Sequence, residues 1–450
     1  MQIKTNTPDA RLVALTIINN VFTEGAYANI ALGKVLASTV LADVDRRFVT
    51  ELVYGTIKAK GTIDWLISQN ITRPLHKVSP IILNILRMGV YQIYFLEKIP
   101  FSAACNEAVN LTKKFGHQGT VKFVNAVLRN IVRNKDRLAF PTIEENEPLH
   151  IALTYNHPEW LVQRWRYRFG TEDTIALCKY DNESPSLSIR VNTLLISREG
   201  LKKKLEEEGI QVKLSFWCKE GLLCEKIPSF NTIINKLGSY IYIQDESSML
   251  VGGILDPRPE DLVIDVCSAP GGKTTHLAQI MKNKGKVIAT DIHAHKLKLI
   301  KENAERLGLH NIVTREQDAT EILGEWREQA DCVLVDAPCS GLGVLRRRAE
   351  ARWNKTEKDL NFFPPLQKKI LTSASAYVKP GGKLLYSTCT LEVNENSRVV
   401  EDFLSKNTDF MKIDFTHPLT GETINELQLL PQKDGIDGFY ICLLGRKREK

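Results

Sequence analysis

The chain has 450 residues, of which 43% are hydrophobic and 25% charged, and this composition excludes collagen-like, low-complexity and wholly disordered proteins. No run of 18 apolar residues predicts a transmembrane helix, and the polar first ten residues lack the apolar stretch of a signal peptide, so we expect a cytoplasmic protein without a membrane partner. The net charge is +7, and the positive excess lies in the first third, where residues 1–140 hold 18 lysines and arginines against nine acidic residues. This distribution favours a nucleic-acid partner, although a solvated lysine-rich surface would give the same excess.

The first 140 residues are predicted to form an all-α domain. Apolar residues recur at helical spacing in 45–58, where Asp45 is the expected N-cap, and again in 81–96 and 123–131. The segment 81–96 is apolar on most sides, which indicates a helix at the centre of the core.

A linker and a small α+β module are expected next. Residues 141–158 contain prolines, acidic residues and turn formers, which predict a linker. Over 159–243 the pattern is mixed: 187–191 and 239–244 favour strands, and 199–208 favours an exposed helix.

Residues 244–450 are predicted to form an α/β domain with a parallel sheet covered by helices. Short apolar runs alternate with helical stretches from Asp261 onward, which is typical of repeated β-α units. The strand candidates, in chain order, are 262–266, 286–290, 311–314, 332–336, 383–387 and 439–444.

The loop after the first of these strands is a candidate cofactor site. Ligands of open α/β sheets bind beyond the carboxyl ends of strands, where glycine lets the backbone approach closely. The loop is neither a G-x-G-x-x-G fingerprint nor a Walker A loop, so a dinucleotide or a nucleoside triphosphate is weakly supported. Its candidate cofactor-binding residues are Cys267, Ser268, Ala269, Pro270, Gly271, Gly272 and Lys273.

Two acidic residues extend this site. Asp291 ends the second strand, 19 residues after Gly272, where an acid that bonds ribose hydroxyls is expected, and Asp318 follows the third strand, within reach of an adenine edge. A glycine loop with these two acids suits an adenosyl ligand without phosphates, such as S-adenosylmethionine (SAM). The alternative is that each acid only caps the helix that follows it.

Most of the nine cysteines are expected to be inert core residues. Their number is odd and no C-x-x-C pair occurs, so neither a disulfide framework nor a zinc site is predicted. His293 and His295 have no further ligands at usable spacing, and we expect no metal.

Two cysteines differ, because each follows a strand of the predicted sheet. Asp336 and Cys339 come after the fourth strand and Cys389 after the fifth, so both thiols should face one crevice. Carbon 5 of a pyrimidine becomes nucleophilic once a thiolate adds to carbon 6, and a carboxylate can stabilise the charge that develops. Asp336, Cys339 and Cys389 are therefore candidate catalytic residues for methyl transfer, against the alternative that each cysteine is a small buried hydrophobe.

These residues resemble the Nol/Nop/Sun family of RNA cytosine-C5 methyltransferases. The shared motifs cover about residues 160–450 and stand in the family's order: RVNT at 190, QDESS at 244, CSAPGGKT at 267, DAPCSGLG at 336, STCT at 387 and DGIDGFY at 434. The N-terminal part, through 45–58 and 113–131, is similar to the NusB-like helical domain. The resemblance implies a multidomain fold with a NusB-like domain over 1–140, an RRM-like module and a Rossmann-like SAM-dependent methyltransferase domain.

The same resemblance assigns roles that chemistry alone leaves open. It implies that Cys389 attacks carbon 6, that Cys339 assists release of the product, and that Asp336 joins the cofactor contacts. It also implies methylation of one specific cytosine in 16S rRNA, naked or in an early small-subunit particle, with no DNA substrate; a monomer is expected.

Candidate RNA contacts come from two basic stretches. Arg129 and Arg133 fall on the polar face of a predicted helix, and Arg346 and Arg347 lie in the basic run 344–353, which the resemblance includes. A solvated turn would explain that run equally well. Two other functions stay open: the same reaction on tRNA or another rRNA site, and a non-catalytic NusB-like RNA-binding or assembly factor.

Overall fold

The computed structural model describes residues 9–136, 139–226 and 236–448, and it divides into two compact units. The helical unit comprises Met1–Glu183 and Leu345–Glu357, and the sheet unit comprises Ser184–Val344 and Lys358–Lys450. Leu345–Glu357 is called the inserted segment below, because the chain leaves the sheet unit at Val344 and returns to it at Lys358. Within the described ranges, no helix combines the length and apolarity that a bilayer crossing needs.

The helical unit is all-α as predicted. Its helices form because apolar residues recur every three to four positions; in α7, for example, Val124, Val127, Leu128 and Ile131 are buried on one side. They pack into one core around α5, which is buried over most of its length. The helices are α1 Ala10–Glu24, α2 Ala28–Ser38, α3 Asp43–Lys58, α4 Lys60–Ser68, α5 Pro80–Phe95, α6 Phe101–Phe115, α7 Gln118–Asn134, α8 Ile143–Thr154 and α9 Glu159–Asn182.

Two local predictions in this unit are wrong. Helix α3 begins at Asp43, so Asp45 lies inside its first turn instead of capping it. The expected linker 141–158 contains helix α8, whose N-terminus is stabilised by a capping box in which Thr142 and Glu145 exchange hydrogen bonds. The acidic residues that suggested a linker are therefore part of a helix start. Helix α9, which the prediction counts with the α+β module, clusters with the helical unit; the boundaries at 140, 158 and 243 stay predictions.

The inserted segment is held inside the helical unit by buried polar contacts. The guanidinium of Arg352 is fully buried and donates to the backbone oxygens of Asn156, at 2.8 Å, and Asp181, at 3.1 Å. The indole nitrogen of Trp353 donates to the backbone oxygen of Ile57 at 2.7 Å. A stretch that follows a strand of the sheet unit thus completes the interior of the helical unit.

The sheet unit contains a small antiparallel sheet and a large mixed sheet. The small sheet has the order β2-β3-β1-β4, with helix α10 (Arg198–Glu207) packed on it. Strands β1 and β4 match the prediction, whereas β2 and β3 are additional. The small-sheet strands are β1 Leu187–Val191, β2 Gln211–Leu214, β3 Gly221–Lys226 and β4 Ile241–Ile243.

The large sheet has the order β10-β14-β9-β8-β5-β6-β7, with β13 paired to β14. Its strands are β5 Leu262–Asp265, β6 Lys286–Asp291, β7 Ile312–Glu316, β8 Ala330–Asp336, β9 Val378–Thr388, β10 Phe410–Lys412, β13 Glu426–Leu429 and β14 Phe439–Arg446; β11 Phe415–Thr416 and β12 Thr423–Ile424 pair separately. The helices between them are α11 Glu246–Leu255, α12 Gly272–Ile280, α13 Ala294–Leu307, α14 Phe363–Ser375, α15 Ser397–Lys406 and α16 Pro431–Asp434.

The all-parallel prediction holds for five strands and fails for the last. Strands β5 to β9 pair in parallel, as the β-α repeats indicate. Strand β14 instead runs antiparallel to β9, because β13 carries the chain to the carboxyl edge and the short connection 430–438 turns it straight back. The carboxyl edge of β5 to β9 is where the candidate site residues are found.

Candidate active site

The loop between β5 and α12 is fixed by its own hydrogen bonds. Both the backbone nitrogen and the hydroxyl of Ser268 donate to the backbone oxygen of Thr290, at 2.9 and 2.7 Å. The Ala269–Pro270 bond is cis. Gly271 has a φ of +103°, and a Cβ there would lie 3.3 Å from the Cα of Ile300, so glycine is required at this position. The result is a narrow backbone cradle at the start of α12, which suits a ligand that approaches the main chain.

A buried arginine of the small sheet supports the same cradle. Arg190 on β1 donates to the backbone oxygen of Gly272, at 2.5 Å, and to the hydroxyl of Thr275, at 2.8 Å. Its guanidinium is fully buried, and this burial lowers the pKa of Arg190 to about 9. The sequence motif RVNT signalled this residue, but its contact with the cofactor loop was not predicted.

The two acids predicted to meet the cofactor lie at the expected strand ends. Asp291 closes β6 and accepts a hydrogen bond from the backbone nitrogen of His293 at 2.9 Å. Asp318 follows β7 and accepts from the backbone nitrogen of Thr320 at 2.8 Å, and these bonds to Thr320 lower the pKa of Asp318. Both acids therefore order the next turn, but neither caps a helix as the alternative proposed: His293 is the N-cap of α13, and Leu323 is the N-cap of the helical turn after Asp318. Their contacts with an adenosyl group stay a prediction.

Buried acidic surroundings keep the thiol of Cys267 neutral. Burial comes first, and the neighbouring carboxylates, Asp265 above all, add to it in raising the pKa of Cys267 well above its ordinary value. Asp265 itself is fully buried, and burial raises its pKa to about 7, although the hydroxyl of Thr274 donates to it at 2.7 Å. The cradle is thus lined by the uncharged thiol of Cys267 and by the carboxyl group of Asp265, whose pKa is raised.

An ion pair that the sequence did not predict joins the candidate cofactor loop to Asp336, at the start of the loop that carries Cys339. The ammonium of Lys273 lies 2.6 Å from Oδ2 of Asp336, and the hydroxyl of Ser387 donates to Oδ1 of Asp336 at 2.9 Å. Burial alone would lower the pKa of Lys273, but the attraction of Asp336 outweighs it and the pKa is raised. Lys273, which was predicted as a cofactor contact, therefore forms an ion pair with Asp336.

The two candidate cysteines face each other. The Sγ atoms of Cys339 and Cys389 are 3.2 Å apart, both side chains are half-buried, and neither is in a disulfide. The hydrogen bond between the sulfurs, followed by burial, raises the pKa of Cys339 well above its ordinary value, so this thiol keeps its proton. The Lys273 ammonium interacts favourably with the sulfur of Cys389. The expectation that both thiols meet at one edge is met by the geometry.

The loops that carry these thiols are locked to residues that sequence reasoning missed. Gly343 and Gly438 are in backbone contact: the nitrogen of Gly438 donates to the oxygen of Gly343 at 2.8 Å, and a Cβ on Gly343 would lie 2.1 Å from the oxygen of Gly438. Glu395 and Asn396, six and seven residues after Cys389 in the chain, also bond these loops. The motif DGIDGFY was the one signal for the Gly438 contact, and no pattern pointed to Glu395 or Asn396.

The predicted RNA contacts fall into two kinds of environment. Arg129 and Arg133 are exposed and one turn apart on α7, in keeping with a basic face. Arg346 instead belongs to the inserted segment, where its guanidinium stacks 4.1 Å from the ring centroid of Tyr180, and Arg347 is half-buried. Within the described ranges, no cluster of three or more His, Cys, Asp or Glu has the geometry of a metal site.

Three protein-family models match successive parts of the chain. The model for the 16S rRNA methyltransferase RsmB/F matches residues 253–445, that for the NusB family matches 8–133, and that for the RsmF/B-like ferredoxin-like domain matches 157–230.

Known proteins resemble the chain along its whole length. The probable ribosomal RNA small subunit methyltransferase B of Bacillus subtilis is 39% identical, over 99% of this chain and 99% of that protein. The solved structure of PH0851 superposes with a TM-score of 0.85 at 28% identity, covering 98% of this chain and 100% of that one.

A further solved structure bears on the cofactor. NSun6 of Pyrococcus horikoshii, in complex with the SAM analogue SFG, superposes with a TM-score of 0.57 at 26% identity, covering 65% of this chain and 99% of that one. The resemblance, the fold class and the cofactor expected from the motifs are confirmed. The chain therefore belongs to the 16S rRNA methyltransferase RsmB/F family, as a SAM-dependent rRNA methyltransferase with a NusB-type helical domain.

Proposed function

We propose that this methyltransferase acts on carbon 5 of one specific cytosine in 16S rRNA, through a covalent adduct between Cys389 and carbon 6 of the base. The observation that carries the proposal is the 3.2 Å approach of the Cys339 and Cys389 sulfurs, beside the Lys273–Asp336 pair at the carboxyl edge of the sheet. Two thiols are unnecessary for methyl transfer to oxygen or to an exocyclic nitrogen, whereas carbon 5 needs one thiol to add and something to assist its departure.

The residues of the cradle fit an adenosyl cofactor. A Cβ on Gly271 would press against Ile300 and one on Gly272 against Tyr242, and Asp291 and Asp318 lie at the ends of the next two strands. When bound, SAM supplies an electrophilic methyl group. We propose that the loop Cys267–Lys273 and these two acids hold it by its adenosine and amino-acid ends.

The chain's own groups then act on the base. The Cys389 thiolate, favoured by the Lys273 ammonium, adds to carbon 6 and makes carbon 5 nucleophilic. Asp336, paired with Lys273, accepts a hydrogen bond from the exocyclic amine and keeps the ring in register. After carbon 5 has taken the methyl group, it loses its proton to a base, and the carbon–sulfur bond breaks as Cys389 leaves. Cys339, which is still protonated at this point, donates a hydrogen bond to the departing thiolate of Cys389 and so assists its release.

We propose 16S rRNA, free or in an early small-subunit particle, as the partner. The relatives' names specify the small-subunit ribosomal RNA, and the NusB-type unit carries the chain's basic excess. Arg129, Arg133, Arg346 and Arg347 are the proposed RNA contacts. Action on ribosomal RNA also implies that the protein works where a bacterium assembles ribosomes, in the cytoplasm.

The test is methyl transfer from radiolabelled SAM to unmodified 16S rRNA, with bisulfite sequencing of the product. We expect one protected cytosine with the wild-type chain and none with Cys389→Ala. With Cys339→Ala, we expect a protein–RNA adduct that survives denaturing electrophoresis. Normal methylation by Cys389→Ala would refute the nucleophile, and methylation of tRNA but not of 16S rRNA would keep the reaction and reject the substrate.

A further inference from the structure

We propose that two adjacent residues, Glu395 and Asn396, are positioning residues that each hold the chain on both sides of one thiol, Glu395 around Cys339 and Asn396 around Cys389. The inference concerns how the two sulfurs are brought together, and its assignment of a reaction step to each loop rests on the proposed function. Both residues are fully buried and neither is a candidate to touch the base or the cofactor.

Glu395 braces the loop of Cys339 from both sides. Its Oε2 accepts from the backbone nitrogen of Ser340 at 2.8 Å and from the side-chain amide of Gln367 at 3.0 Å. The same amide nitrogen of Gln367 donates to the backbone oxygen of Pro338 at 2.9 Å. The residues before and after Cys339 are thus tied, one through Gln367 and one directly, to a single carboxyl oxygen.

Asn396 does the same for the loop of Cys389. Its Oδ1 accepts from the hydroxyl of Thr388 at 2.5 Å, and its Nδ2 donates to the backbone oxygen of Thr390 at 3.0 Å. Nδ2 also donates to the side-chain oxygen of Gln428 at 2.7 Å, which ties the group to β13. The residues before and after Cys389 are therefore both bonded to one amide.

The two braces share one backbone and a direct bond between the loops. The hydroxyls of Ser340 and Thr390, each next to a thiol, lie 2.6 Å apart. The hydroxyl of Tyr386 on β9 donates to the backbone oxygen of Glu395 at 2.6 Å, which fixes the pair to the sheet. Because Glu395 and Asn396 are consecutive, the two braces stand side by side, and together they set the separation of the sulfurs.

Removing either brace has an effect specific to one thiol. Glu395→Ala leaves a buried backbone N–H of Ser340 without its acceptor, which the loop relieves by moving, and a shift of about 1 Å in a reacting group can cost a hundredfold in rate. Glu395→Gln keeps an oxygen acceptor of the same shape. Burial raises the pKa of Glu395 above its ordinary value.

The first readout is independent of methylation. Diamide oxidises two adjacent thiols to a disulfide: each sulfur loses a hydrogen, the S–S bond forms, and the azo bond of diamide is reduced to a hydrazine. Peptide mapping of the Cys339–Cys389 disulfide then reports how often the sulfurs meet. We expect Glu395→Ala and Asn396→Ala to slow this oxidation at least about fivefold, and Glu395→Gln to stay within about twofold of wild type.

The control is Glu426→Ala, which removes another carboxylate that accepts two hydrogen bonds, from Tyr440 and Lys412, neither of which belongs to a thiol loop. We expect it to oxidise at the wild-type rate. Should the alanine variants fail to fold, Gln367→Met removes both bonds that Gln367 makes in the Glu395 brace, and Thr388→Val removes one bond of the Asn396 brace. We expect each to slow oxidation. The proposal would be overturned if the folded variants formed the disulfide at the wild-type rate, or if Glu426→Ala slowed its formation as much as they do.

The second readout separates the two loops during the reaction. With rRNA and SAM, we expect Glu395→Ala to accumulate the covalent adduct, as a defect at Cys339 would, and Asn396→Ala to form less adduct than wild type. The same defect in both variants would overturn the division of labour. A wild-type protein that oxidises rapidly but forms no adduct would reject the proposed function and leave the positioning inference intact.

Discussion

Replacing Asp336 with asparagine leaves the Lys273 ammonium buried without its carboxylate. Removing one partner of a buried ion pair typically costs about 3–5 kcal/mol, because the remaining charge is uncompensated. The Asp336 side chain is 30% exposed, against 12% for Lys273, and the amide oxygen of asparagine still accepts one hydrogen bond. We therefore expect the Asp336→Asn variant to lose about 2–3 kcal/mol of stability at pH 7.

The ion pair lies in the sheet unit, so the assay must measure the stability of that unit separately. Native-state hydrogen exchange with mass spectrometry measures the opening free energy of Ala330–Asp336 and Val378–Thr388, the two strands beside the pair. In a cycle of Lys273→Met, Asp336→Asn and the double variant, we expect the double variant to cost less than the sum of the singles, since it buries no charge. Additivity within about 0.5 kcal/mol would refute the reasoning.

The pH dependence has a defined sign. In the wild type the pKa of Lys273 is raised above 10.5, so the stability from the pair is present below that pH and lost as pH rises through the folded pKa. In Asp336→Asn burial dominates and the pKa of Lys273 falls below 10.5, so the variant regains stability as the ammonium loses its proton. The difference in melting temperature between the two proteins should therefore narrow as the pH rises from about 8 to about 10.

Three further predictions concern other parts of the molecule. Gly343→Ala places a Cβ 2.1 Å from the backbone oxygen of Gly438, so we expect methyl transfer to fall at least about a hundredfold while calorimetry finds SAM affinity retained; normal turnover would contradict the contact. Burial raises the pKa of Asp265 to about 7, so its contribution to wild-type stability falls as the pH rises from about 4 to about 7. In chemical unfolding, we expect the free energy of unfolding of Asp265→Asn to rise by on the order of 4 kcal/mol relative to that of wild type over this pH range. A difference between the two proteins that does not change with pH would exclude the pKa shift. If Arg129 and Arg133 each meet a phosphate, replacing both with alanine should weaken rRNA binding and reduce the slope of log affinity against log salt by about 2, and an unchanged slope in filter binding would exclude them.

The edge of the sheet that carries the candidate site was predictable because two rules of parallel sheets apply to short stretches of sequence. Buried strands appear as apolar runs, and the runs at 262–266 and 332–336 match strands β5 and β8 within two residues. Since carboxyl ends of parallel strands share one edge, residues just after different runs must meet, and this brought Cys339 and Cys389 together. Strands β2 and β3 escaped detection; β2 is four residues long and only one of them is buried, so it carries little periodic signal.

Other contacts could not be predicted from the sequence, because each residue that makes them already had an expected role within its own short segment. Lys273 and Asp336 are 63 positions apart, and each already had a role in its own motif. Glutamate is a common residue in solvated loops, whereas Glu395 is buried and accepts hydrogen bonds from Ser340, Gln367 and Tyr386. The basic run after Gly343 predicted a solvated turn or phosphate contacts, whereas Arg352 is buried among backbone oxygens. Sequence gives the residue type, and only the packing gives the partner.

The inserted segment has a consequence for anyone who wishes to study the helical unit in isolation. A fragment that ends after Glu183 contains every long helix of that unit but lacks Arg352 and Trp353, so the carbonyls of Asn156, Asp181 and Ile57 would lose their donors and an internal hole would open. Supplying Leu345–Glu357 as a separate peptide, or grafting it through a linker, should restore the fragment's melting temperature. The two halves of this protein are interleaved along the gene, and no single cut releases either one whole.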